Sequence, residues 1–181
     1  MSRIDLFIDT HVWYASLKLE KKAFADERDK KKFLEYLLQS KKEKGLRVFA
    51  FSLLDDEVHF LLGTKEEDRE AAAQNLWYLL RRYEEYYLVS HGKNRKESLE
   101  GQADCRPLYR TEEILDICRF IHRMPVEEGY VRKLDDYWWS SFLTYRGIYS
   151  WEFVDTRPIL WCFSDNREKN GRQFIKFHRQ E

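Results

Sequence analysis

A chain of 181 residues has the length of one compact domain, and at that size a single hydrophobic core is the default. Lys plus Arg equal Asp plus Glu at 32 each, so no global positive field draws the chain to nucleic acid, and any such binding must rest on a local basic face. Aromatic residues make up 16% of the chain and charged residues 35%, with few Gly and Pro, which excludes global disorder and points to large rings packed under a charged shell.

The start lacks a basic segment followed by a long apolar block, and no uninterrupted run of about 18 apolar residues occurs, so a soluble, unexported, cytoplasmic protein without membrane contact is expected. Cys105, Cys118 and Cys162 are odd in number and lack CxxC spacing. That pattern fits reduced, mostly structural thiols better than a disulfide frame or a zinc site.

In chain order, His11 to Leu19 alternates large apolar with small or polar residues, the period of a strand with one buried face. Asp26 to Lys44 places Phe33, Leu34, Tyr36, Leu37 and Leu38 on one helical stripe, with Asp26 as N-cap and Gly45 as stop. "LRVFAFSLLDD" and "EVHFLLG" read as two strands joined at Asp55 and Asp56, whose side chains favour tight turns. "KEEDREAAAQNLWYLLRRYEEYY" carries apolar residues at three-to-four spacing and makes a second long helix.

His91 to Leu108 loses periodicity and reads as a mobile loop. Helix resumes at Thr111, whose hydroxyl is expected to cap it, and runs to just before Pro125. The tail "NGRQFIKFHRQE" reads as a terminal helix with Arg172, Lys176 and Arg179 outward. The order strand, helix, strand, strand, helix begins an α+β fold: a ferredoxin-like antiparallel sheet with helices packed on one face, elaborated by C-terminal helices, in one domain over 1–181.

Glu57 and His59 are two apart in the second hairpin strand and share a face, while Val58 and Phe60 share the other. An isolated pair of this kind is ordinarily a solvated polar face, and the motif by itself is weak.

The wider pattern is more specific. "HVWYASLKLEKKAF", "LDDEVHFLL", "LLRRYEEYY", "FIHRMPVEEGYV" and "DDYWWSSFLTYRG" follow one another in an order and spacing that resemble the single-tyrosine transposases of insertion sequences, especially the REP-associated tyrosine transposases. The resemblance covers most of the chain. It implies a histidine-hydrophobe-histidine (HUH) pair that holds a divalent cation, Mg2+ or Mn2+, against a DNA phosphate. It also implies a helix-borne tyrosine that attacks the phosphorus to form a 5′-phosphotyrosine.

Carried over position by position, the second metal-binding histidine falls on His59 and the first on Glu57. The tyrosine nucleophile falls on Phe120, which has no hydroxyl, and a further ligand position one helical turn on falls on Met124, whose thioether suits soft metals. The resemblance therefore implies a family member that has shed the nicking reaction and, with an inactive site, needs no cofactor. Glu57 and His59, with Asp56 as a further carboxylate, still offer oxygen and nitrogen ligands to Mg2+ or Mn2+. Tyr83, Tyr86, Tyr87 and Tyr130 are the alternative nucleophiles in the sequence.

DNA binding does not need the lost atoms, because it draws on phosphate neutralisation and stacking. Arg81, Arg82, Lys93, Arg95, Lys96, Arg106 and Arg110 are the expected contacts, although Glu84, Glu85, Glu97 and Glu100 intersperse them. Trp138 and Trp139 are expected in the core. The resulting expectation is a protein that binds hairpin or single-stranded DNA of a mobile or repeated element, as a monomer or a homodimer. Metal-dependent nicking by a displaced nucleophile is one alternative, and a domesticated protein-interaction domain is another.

Overall fold

The computed structural model describes residues 7, 10–65 and 67–179, so the ends of the expected 1–181 domain lie outside the described residues. Its elements are β1 (His11–Leu19), α1 (Glu27–Lys44), β2 (Arg47–Leu53), β3 (Glu57–Thr64), α2 (Arg69–Ser90), β4 (Gly101–Leu108), α3 (Thr111–Glu127), α4 (Phe142–Tyr145), α5 (Arg157–Phe163) and α6 (Arg167–Arg179). The strands form one antiparallel sheet in the order β2-β3-β1-β4, the ferredoxin-like arrangement.

Alternation in β1 sends Trp13, Ala15 and Leu17 to the core beneath α1 and α2, and Val12 and Tyr14 to the opposite face. α1 starts and stops as expected: the Asp26 carboxylate accepts from the Arg28 amide at 2.7 Å, and Gly45 ends the helix at φ 66. On the other face α3, α5 and α6 build a second core around Ile114, Ile121, Ile159 and Phe174. Among the described residues no helix is long and apolar enough to cross a membrane.

Three expectations change. The stretch read as a mobile loop holds β4 in its second half, paired with β1 from Val12↔Leu108 to Leu19↔Gly101. Its polar and Pro-containing sequence is that of an edge strand, which needs no strong period. α3 runs through Pro125 to Glu127, since a proline in the last turn removes only one helical hydrogen bond. Its N-cap residue is Arg110, with no side-chain cap bond, so Thr111 does not serve.

The free edge of β2 is closed by a segment from far down the chain. The Leu53 amide donates to the Trp139 carbonyl at 2.9 Å and the Ser141 amide to that of Phe51 at 3.0 Å. The hydroxyls of Tyr137, Ser141 and Tyr145 donate to the carbonyls of Leu53, Phe51 and Phe49 at 2.7, 3.3 and 2.8 Å. The Trp-Ser-Ser block is thus a packing element, but only Trp139 joins the core; Trp138 is 54% exposed and rests edge-on against Tyr149.

Candidate functional site

β3 presents Glu57 and His59 on the face toward α3, with His59 directly opposite Ser16 of β1 and Ser52 of β2. The pair is not a solvated surface. His59 is 3% exposed, because the face is roofed by a helix that begins some fifty residues later in sequence. The Tyr14 hydroxyl lies 2.9 Å from His59 Nδ1. On the other side of the ring, Nε2 stands 3.3 Å from Glu57 Oε1, a close approach without the alignment of a hydrogen bond. Among the described residues neither His59 Nε2 nor the buried Ser52 Oγ opposite it has a hydrogen-bond partner.

Two buried, unpaired polar atoms side by side are costly unless something else satisfies them. A hard divalent cation fits: its neighbouring ligand atoms stand ~3 Å apart for bonds of ~2.1 Å, close to the observed separation of nitrogen and carboxylate oxygen. Donation from His59 Nδ1–H to the Tyr14 oxygen leaves the Nε2 lone pair free to ligate, the usual arrangement around a metal-bound imidazole. When Nε2 carries a proton, its N–H foremost, and Lys18 at 3.4 Å as well, hold the Glu57 carboxyl below the ordinary carboxylate range; in the Nδ1–H tautomer that nitrogen is left bare for a cation beside the carboxylate.

Phe120 projects from α3 over this pair. Its ring centroid is 5.8 Å from that of His59, edge to face, and 6.1 Å from that of Tyr14, and it is 43% exposed. The fold therefore brings Glu57, His59 and Phe120 together. Met124, one turn further on, is buried in a small apolar cluster with Leu54 and Tyr137. A cleft of about 580 Å³ opens beside Phe120, with Arg119 and Arg123 on its wall and Asp116, Glu127 and Glu128 among its acids.

The expected DNA contacts divide between the two sides of the sheet. Arg106 pairs with Tyr14 in register, lies with its guanidinium 5.3 Å from that ring's centroid and bridges to Glu113 at 2.9 Å. Arg110 follows, exposed, at the start of α3. Arg81 and Arg82 belong to α2, which packs on the opposite face, and Arg82 is engaged by Glu43 and Gln39. Lys93 pairs with Glu97 at 3.0 Å, and Lys96 is exposed in the same connection. The side chain of Arg95 lies outside the described parts of the chain.

None of the four tyrosines singled out in the sequence has a described contact with His59. Tyr83 is buried under α1 and donates to the Ala23 carbonyl at 2.6 Å; Tyr86 and Tyr87 pack beside it; Tyr130 reaches the Asp55 amide at 3.4 Å. Tyr14 is the residue sequence reasoning missed. The alternation of β1 carried the signal, since Tyr14 and Ser16 must share the face on which His59 lies.

The fold and site together define a ferredoxin-like α+β domain whose central strand carries a carboxylate-hydrophobe-histidine pair facing a helix-borne aromatic ring. Among solved structures, the chain is similar to a REP-associated tyrosine transposase bound to a REP hairpin, with a TM-score of 0.59 and 16% identity over 81% of this chain and 87% of that one. No family model and no curated protein matches the chain in sequence. The two proteins share a fold.

Proposed function

We propose that this chain is a DNA-binding protein of the REP-associated transposase type, recognising hairpin or single-stranded DNA of a mobile or repeated element without the usual tyrosine nicking. The observation that carries the reading is the placement of Phe120: in a fold shared with a hairpin-bound transposase, the ring beside His59 has no oxygen to attack phosphorus. Glu57 and His59 would hold Mg2+ or Mn2+, and that cation would supply charge stabilisation to a phosphate. The chain's own residues bind and orient. Arg106 lies against Tyr14, Arg110 follows at the start of α3, and Arg119 and Arg123 line the cleft at Phe120.

The test is binding of the full chain to a folded DNA hairpin and to its unfolded single strand across a salt series. Affinity should fall as salt rises, and no covalent adduct should form with Mg2+ or Mn2+. Absence of binding at low salt overturns the reading.

A second reading, nicking by a displaced nucleophile, is favoured by the Tyr14 to His59 contact. There His59, in the other tautomer with Nδ1 bare, takes the tyrosine proton as the Tyr14 oxygen forms the bond to phosphorus and the bond to the ribose oxygen breaks, that oxygen leaving with a proton from water. Burial raises the Tyr14 pKa, which weighs against attack without such a base. A DNA adduct on a denaturing gel that vanishes in Tyr14→Phe supports this reading, and a blank lane rejects it. The domesticated interaction domain has less support, because half of the segment expected to shield the sheet forms its edge strand instead.

A further inference from the structure

The second core contains a cluster of donors that the DNA reading does not use. Cys118 and His122 sit one turn apart on α3 and meet His178 of α6, all three buried. Their ligand atoms lie within 4.8 Å of one another: Cys118 Sγ is 3.8 Å from His122 Nδ1, which is 2.9 Å from His178 Nε2.

The outward side of each ring is as telling as the inward side. His178 Nδ1 donates to the Phe174 carbonyl at 3.0 Å, which fixes the tautomer with the Nε2 lone pair turned toward the cluster. His122 Nε2 lies 2.6 Å from Ser141 Oγ, and that hydroxyl donates to the Phe51 carbonyl, so its oxygen can accept from the ring. Both imidazoles can thus present a bare nitrogen to the centre while a backbone carbonyl or hydroxyl holds the far N–H, the outer arrangement that orients metal-bound histidines.

We propose that Cys118 Sγ, His122 Nδ1 and His178 Nε2 form a binding site for a thiophilic cation with a filled d shell, Zn2+ or Cu+. One thiolate and two imidazoles are the donors such ions select over Mg2+ or Mn2+. His178 also lines a cavity of about 630 Å³ between the end of α3 and α6. Without an ion the same rings can satisfy one another, His122 Nδ1–H donating to His178 Nε2, so the alternative to be separated is a purely hydrogen-bonded core. The site is independent of the Glu57 and His59 pair and of any reading of DNA binding.

The test loads the reduced, chelator-treated full chain with Co2+, Zn2+ or, without oxygen, Cu+. One equivalent of Co2+ should give a thiolate-to-cobalt charge-transfer band that Glu57 and His59 have no sulfur to produce. Glu57→Gln should keep the band, whereas Cys118→Ser and His178→Gln should lose it and weaken Zn2+ or Cu+ binding on the order of 100-fold. Competition with a zinc-selective and a copper(I)-selective chelator then tells which ion is held. Near-ultraviolet circular dichroism shows whether each variant is folded. Failure of all three ions to bind to the folded parent chain, or a band unchanged in folded Cys118→Ser, overturns the proposal.

Discussion

The Tyr14 hydroxyl reaches across from β1 to Nδ1 of His59 on β3, 2.9 Å away, on the face that also carries Glu57 and against which Phe120 of α3 packs. Tyr14→Phe keeps the ring and removes the oxygen, leaving a buried imidazole nitrogen without its partner. The expected result is a loss of about 1–3 kcal/mol in urea unfolding and a 10- to 100-fold weaker Mn2+ affinity, read by electron paramagnetic resonance. Unchanged Mn2+ binding would reduce the contact to simple packing.

Restoring the two altered positions should restore the chemistry. The double variant Glu57→His with Phe120→Tyr is expected to form a metal-dependent covalent DNA adduct on a denaturing gel, and the parent chain none. Phe120→Tyr by itself should give less product than the double variant. A blank lane for the double variant on both hairpin and single-stranded substrates would mean that more than these two side chains has changed.

Acid should loosen the second core. Burial lowers the pKa of His178 from 6.5 to about 4, and it lowers that of His122 as well. An imidazole held neutral in the fold takes up its proton more readily once unfolded. Its stabilising contribution is therefore complete above about pH 6.5 and declines as pH falls toward about 4. For His178 the full loss is worth about 3 kcal/mol. Urea unfolding of metal-free protein between pH 7.5 and 4 should show this decline, and His178→Gln should flatten it relative to the parent chain.

Adjacent serines of the Trp-Ser-Ser block should behave differently. Ser141 Oγ accepts from the Phe51 amide at 2.9 Å and lies 2.6 Å from His122, so Ser141→Ala strands two buried groups and should cost about 2–4 kcal/mol. The described bonds of Ser140 Oγ are both 3.4 Å long, and Ser140→Ala should cost less than about 1 kcal/mol. Comparable losses for both would contradict this assignment.

Local signals were legible where one element states its own rules. The period of β1, the caps of α1 and the Asp55–Asp56 turn all appear where the residues place them. β4 was hidden because an edge strand with Gln102, Asp104 and Pro107 has little period of its own and is defined by its pairing with β1. The shared face of Glu57 and His59 was readable from their spacing. Their burial was not, because it comes from α3, an element distant in sequence. His122 and His178 are 56 residues apart, so no spacing rule joins them.

The closure of β2 by Tyr137, Ser141 and Tyr145 joins residues 84 to 96 positions apart. Until that late segment docks, a nearly complete sheet carries an open, apolar edge able to pair with another chain. A fragment truncated after α3 should therefore self-associate, and refolding of the whole chain should be limited by long-range docking of its last third, however fast its first hairpin forms.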